Sequence, residues 1–188
     1  MPATVNPSAL EGEGELGPPE TLGPPMSVRP TEDYFELGNA CHAFLAGDRL
    51  EDAPDARIAH AHAQVEAFGV GEHVIPEQLV QASTAFRTWV ERRWPGATWR
   101  TEWPLAMVQP DGSVLRGYAD LVLETPDGLV LLDHKCHGGS LEHVLVVARV
   151  HGAQLDAYRT VLTTATGRPV LARWIHLPFQ GVCVEMLG

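Results

Sequence analysis

Two Pro-Asp-Gly triplets, Pro110–Gly112 and Pro126–Gly128, divide residues 99–135 into three segments rich in Val, Leu, Trp and Tyr. Proline presets the first position of a turn and glycine accepts the backbone that closes it, so each triplet reverses the chain between extended segments. Residues 99–108, 113–124 and 129–135 therefore read as an antiparallel meander. Upstream the apolar period is helical: Phe35, Leu37, Ala40, Cys41, Phe44 and Leu45 recur on one face of 34–46, and Gly47-Asp48 ends it. Helices are also expected over 54–67 and 76–94, the latter opened by Pro76 and stopped by Pro95-Gly96. Downstream come one long helix, 141–165, ended by Gly167 and Pro169, and two strands, 169–177 and 181–187. The order ααα-βββ-α-ββ predicts an α/β fold: a mixed sheet of about five strands flanked by helices, with an N-terminal helical part.

The 188 residues suffice for one domain with a core, and the 45% apolar content is that of an ordinary globular chain. No run approaches the roughly 18 apolar residues that cross a bilayer, and no basic stretch leads an apolar one at the N-terminus, so no membrane role is expected. Cys41, Cys136 and Cys183 are odd in number and widely spaced, which fits a reducing cytoplasm better than a disulfide framework. Residues 1–30 repeat Leu-Gly-Pro-Pro among Glu and Gly and read as an extended arm or linker ahead of a domain at 31–188. The net charge of −11 argues against a free-standing, non-specific nucleic-acid binder. It is uneven: residues 1–36 hold seven acids against Arg29, a net −6, leaving −5 for the rest.

Twelve of the thirteen basic residues are arginine, and Lys135 is the only lysine. A GC-rich genome explains a preference for arginine but not the one position where lysine stayed. The two cations differ where a compact ammonium with a tunable pKa is needed. Lys135 ends the segment Asp133-His134-Lys135, and on a strand Asp133 and Lys135 share a face. An even-length loop between 124 and 129 sets Asp120 directly opposite Asp133, about 5 Å apart. A three-residue loop with a bulged Gly128 slips the register by one and needs a second bulge to restore the pairing. The expectation is that the two acids face each other. Both sit in apolar runs, where carboxylates so close repel unless a cation lies between them or one is protonated. A hard divalent cation takes such oxygen ligands.

With those residues in place, the chain resembles the PD-(D/E)XK nuclease superfamily, and within it the RecB/AddA-like nuclease domains of bacterial helicase–nucleases. Five pieces carry the resemblance across residues 36–177: Glu36-Leu37-Gly38 through His42, Glu102 before Trp103-Pro104, Arg116-Gly117-Tyr118-Ala119-Asp120, Asp133-His134-Lys135, and Gln154 with Tyr158. Ala119 replaces the proline that names the superfamily. The resemblance implies a restriction-endonuclease-like fold and a Mg²⁺- or Mn²⁺-dependent deoxyribonuclease. Asp120, Asp133 and His42 would be metal ligands, with the backbone carbonyl of His134 as another. Lys135 would orient the attacking water or stabilise charge in the transition state. Gln154 and Tyr158, four apart on one helix face, would contact the phosphate backbone or the lysine. Glu102 is a possible further residue. The three cysteines do not match the four of iron–sulfur relatives, so no cluster is expected.

The resemblance further implies an exonuclease of DNA repair and recombination in the bacterial cytoplasm. It would act on single-stranded DNA delivered by a helicase domain in cis or a helicase subunit in trans. The rival reading is a DNA-binding or docking domain that retains the fold without catalysis. Three other groups carry less. His134, Cys136 and His137 cluster with Lys135 but lack the spacing of a zinc site. His60 and His62, two apart in an Ala-rich helix, read as solvated surface. Trp89, Trp94, Trp99 and Trp103 could stack bases but straddle a helix–strand junction, where packing is the plainer role.

Overall fold

The computed structural model describes residues 3–7, 10 and 12–188. The arm contributes three two-residue strands, β1 (Thr4–Val5), β2 (Glu15–Leu16) and β3 (Glu20–Thr21). Helices α1 (Tyr34–Gly47), α2 (Pro54–Ala67) and α3 (Pro76–Arg93) follow, then the meander β4 (Thr98–Val108), β5 (Val114–Glu124) and β6 (Leu129–His134). After α4 (Leu141–Ala148) and α5 (Gly152–Thr166) come β7 (Val170–Leu177) and β8 (Val182–Leu187), with a 3-10 turn at Pro178–Gln180 between them. The sheet runs β5-β6-β7-β8 through its middle, with β4 on the free side of β5. β6 and β7 are parallel because α4 and α5 cross over between them; β4–β5, β5–β6 and β7–β8 are antiparallel. The fold is the mixed α/β architecture of restriction-endonuclease-like proteins.

All six residues of β6 are buried, which is why its sequence runs apolar up to Asp133-His134 without alternating. Leu129 and Leu131 pack with Leu155, Tyr158 and Leu162 of α5. Val130 and Leu132 pack on the other face with Phe86, Trp89 and Val90 of α3. A third core joins α1, α2 and the start of α3, from Leu37, Phe44, Ala61, Val65 and Leu79.

Strand β5 changes faces partway along. Leu115 and Ala119 pack on the α5 side, whereas Leu121 and Leu123 pack on the α3 side. Residues two apart on a regular strand share a face, so the strand turns over at Asp120. Across from it on β4, Glu102 has φ 50°, the only positive φ of a non-glycine residue among the described residues. The pairs Thr101↔Leu121 and Trp103↔Ala119 keep one count on either side, so no residue is inserted and both strands turn together.

The arm is extended and joins the sheet. β1 lies parallel to β5, and β2 and β3 pair with β8. Glu20 accepts from Trp89 Nε1 at 2.8 Å and Arg93 Nη1 at 2.9 Å, while the Arg93 guanidinium lies 4.5 Å from the Trp174 ring. The arm also corrects one expectation. The single helix over 141–165 is two helices, broken at Arg149–His151. Gly14 N–H takes the carbonyl of Arg149 at 2.8 Å, and Gly12 bridges His151. A Cβ on Gly152 would stand 2.5 Å from Gly14 N, so glycine is required where the arm enters the break.

A buried ion network fixes the helical part. Asp48, just past α1, accepts from Arg57 Nε at 2.8 Å and Nη2 at 2.7 Å, and from Ser83 Oγ of α3 at 2.6 Å. Burial pushes this carboxyl up, but the Arg57 and Ser83 hydrogen bonds prevail and hold it below the ordinary aspartate value. Removing one partner of a buried pair leaves the other uncompensated. Asp48→Ala is expected to destabilise the fold by about 3–5 kcal/mol, read from urea unfolding. The stabilisation belongs above the unfolded carboxyl pKa and should fade as pH falls through the depressed folded value.

Candidate active site

The hairpin closes through Thr125 N–H on Gly128 carbonyl at 2.9 Å, the even-length loop. The β5–β6 pairs run from Glu124↔Leu129 to Leu121↔Leu132. One step further, where Asp120 and Asp133 would face, the ladder stops. Asp120 Oδ2 instead accepts the backbone N–H of His134 at 2.6 Å. A side chain standing off a regular sheet does not reach a neighbouring strand's amide. Asp120 reaches it where β5 turns over.

His42 on α1 places its Nδ1 3.4 Å from the same Asp120 Oδ2. Burial pulls the imidazole pKa down, but the Asp120 hydrogen bond and charge, with Asp133 beyond, raise it to about 9. The Asp120 carboxyl is likewise pushed up by burial and brought down to about 2 by His42. The two are one ion pair seen from both ends. Asp133, 1% exposed, holds the Lys135 ammonium at 2.8 Å. Burial raises the Asp133 carboxyl, Lys135 opposes this, and the charge of Asp120 adds to it. Burial lowers the Lys135 pKa, but Asp133 and Asp120 prevail and hold it above the ordinary lysine value.

Glu102 shares this field. Partial burial and the charge of Asp120 push its carboxyl up. Gln154 Nε2 donates to Tyr158 Oη at 3.2 Å, and a Cβ at Gly117 would stand only 3.1 Å from that oxygen. Gly117 is thus small because α5 rests its tyrosine there. His134 offers the site its backbone. Its ring is buried, 2.9 Å (Nδ1 to Nδ1) from His176 and edge-on to Phe86.

Two carboxylates and an imidazole make an oxygen-rich donor set of the kind that suits Mg²⁺ or Mn²⁺. Asp133 Oδ2 is buried and, apart from the Lys135 ammonium, has no hydrogen-bond donor. Among the described residues no three His, Cys, Asp or Glu side chains are already grouped to hold an ion. The charges account for this: the His42 imidazolium neutralises Asp120 and the Lys135 ammonium neutralises Asp133, so each acid is drawn to its own cation. The residues fit a divalent cation by chemistry.

The family model of the PD-(D/E)XK nuclease superfamily matches residues 15–182, nearly the whole chain. The chain belongs to the PD-(D/E)XK nuclease superfamily. Among curated proteins, an ATP-dependent helicase/nuclease subunit of Desulforudis audaxviator (strain MP104C) is 27% identical over 154 residues. That stretch covers 74% of this chain and 12% of the relative, so the chain spans a small part of the relative's length. Together these make it a PD-(D/E)XK domain similar to part of a helicase/nuclease subunit. No described helix is long and apolar enough to cross a membrane.

In this PD-(D/E)XK domain His42, Glu102, Asp120, Asp133 and Lys135 share one electrostatic neighbourhood, drawn from α1, β4, β5 and the end of β6. Gln154 and Tyr158 adjoin it from α5, through Tyr158's coupling to Asp133 and Lys135. Sequence reading missed His176, which carries no motif and pairs with His134 only through the parallel β6–β7 register. Trp89 is buried, as the packing reading expects, while Trp99 and Trp103 line an open groove with Arg100 and Glu124. His60 is half-buried, its ring 5.4 Å from Phe44, rather than fully solvated.

The His42–Asp120 pair has a direct readout in metal-free protein. The imidazole should titrate near pH 9 by NMR, and Asp120→Asn should lower it markedly, because burial is then opposed only by the charge of Asp133. Its folded pKa lies above the unfolded one, so its stabilisation is complete below about pH 6.5 and is lost as pH rises through about 9.

Proposed function

We propose that this chain is a Mg²⁺- or Mn²⁺-dependent deoxyribonuclease that hydrolyses phosphodiesters to leave 5′-phosphates. The observation that supports the reading is a pair of neighbouring ion pairs, His42–Asp120 and Lys135–Asp133, which hold both acids beside the only lysine. Asp120, Asp133 and His42 would hold the cation, with the His134 backbone carbonyl as a further ligand. When bound, the cation supplies Lewis-acid polarisation of a phosphoryl oxygen and a lowered pKa for water.

The rest falls to the chain's own groups. Lys135, kept protonated by Asp133 and Asp120, presents a fixed positive charge where the phosphorane-like transition state accumulates negative charge. Its ammonium also orients the attacking water. Glu102, with its pKa raised across from Asp120, would hold a water by hydrogen bond. Gln154 and Tyr158 present an amide and a hydroxyl to the phosphate backbone. The relative's name, that of a helicase/nuclease component, supports a role in DNA repair and recombination. There a helicase, in cis or in trans, would pass single-stranded DNA to the site for exonucleolytic cleavage. The acidic surface charge agrees with dependence on such delivery.

Cleavage of end-labelled single- and double-stranded DNA tests this. Mn²⁺-dependent product is expected, stopped by EDTA and by Asp120→Asn. Lys135→Ala, with folding checked by circular dichroism because Asp133 loses its cation, should lower the rate by about 10²–10³. Undiminished cleavage by Lys135→Ala rules out the assigned chemistry.

A further inference from the structure

Two pairs of imidazoles meet in this molecule, and they are built differently. His134 and His176 are closed by a proton: their Nδ1 atoms are 2.9 Å apart, within the core against Phe86. His137 and His151 make a longer contact. Their Nε2 atoms are 3.4 Å apart, their ring centroids 5.7 Å apart and their planes within 13°, so the two nitrogens point at each other. That gap is longer than a well-made N–H···N contact. It matches the edge of a tetrahedron of bonds of about 2.0–2.1 Å, the length of a zinc–imidazole bond. Both rings are half-buried.

The backbone under each ring is pinned independently. The carbonyl of His137 accepts from Gln180 Nε2 at 2.9 Å. His151 sits at the break between α4 and α5, bridged by Gly12 of the arm. Gln154, one turn on, interacts with the His151 ring, and its buried Oε1 has no hydrogen-bond partner. A polar neighbour there helps to fix how the ring is turned. Orientation of this kind is what metal-bound histidines receive from their neighbours. Burial and the charge of Lys135 push both imidazoles below the ordinary histidine value, so both offer lone pairs at neutral pH.

We propose that His137 and His151 form a second cation site, selective for a borderline transition-metal ion such as Zn²⁺ over Mg²⁺. The selectivity follows from the donors: imidazole suits zinc, copper and nickel, whereas magnesium requires oxygen ligands. Each ring tilts by roughly 35° to bring its lone pair onto an ion offset from the line between the nitrogens. Water or an oxygen ligand completes the coordination. The ion would tie the loop after Lys135 to the start of α5. The inference does not depend on the nuclease reading, since its readout is metal uptake.

The test is calorimetric titration of the full chain with Zn²⁺ in Mg²⁺-containing buffer. One Zn²⁺ per chain is expected. His137→Gln and His151→Gln, each with an unchanged circular-dichroism spectrum, should weaken uptake at least about tenfold. Asp120→Asn should leave it unchanged. With Cu²⁺ as the probe, paramagnetic resonance should show two nitrogen ligands in wild type and fewer in either histidine variant. Zinc uptake that persists in both histidine variants, disappears in Asp120→Asn, or is absent from the folded wild-type chain overturns the assignment.

Discussion

Asp120 is held from two sides: the His134 amide donates to its carboxylate from the neighbouring strand, and the His42 ring approaches from α1. A carboxylate enclosed this far costs free energy unless cations and N–H groups surround it. That requirement shapes what is near. α1 must bring a histidine to the sheet, and β5 must turn over so that its side chain points along the sheet. β4 must follow, which places Glu102 in the left-handed region, where only a local constraint keeps a non-glycine residue.

The scaffold serves this arrangement at some distance. Asp48 and Arg57, with Ser83, lock α1 against α2 and α3 and so fix the height at which His42 meets Asp120. α5 presents Tyr158 against Gly117, two residues before the strand turns over. The arm holds the sheet's far edge through Glu20 and enters the helix break at Gly152. Charge is divided locally: each buried acid has its own cation, and the two ion pairs sit side by side. In the function proposed, a divalent ion would displace one proton and one ammonium contact to reach the two carboxylates.

Much of this could be read from residue types. Pro-Asp-Gly turns and apolar period located α1, α2 and α3 and strands β4 to β8 within a residue or so, because these signals are local. Asp133 and Lys135 on one strand, with Asp120 thirteen residues before Asp133, gave the hairpin register by simple counting. The break after α4 was not legible, because it depends on Gly12 and Gly14, more than 130 residues earlier. The same holds for His151 beside His137 and His176 beside His134, which only the crossover brings together. The turnover at Asp120 left no trace either: alternation assumes a regular pleat, and Ala119 and Leu121 look alike on paper while packing on opposite faces.

The central claim is that one divalent ion sits among His42, Asp120 and Asp133. It is tested most directly by the anomalous scattering of Mn²⁺ in crystals of the protein grown with that ion. A single strong anomalous peak bonded to both carboxylates and the His42 imidazole, with Lys135 moved off Asp133, is the result expected. Saturating Mn²⁺ with no peak there, and the Lys135–Asp133 contact still closed at 2.8 Å, would contradict it.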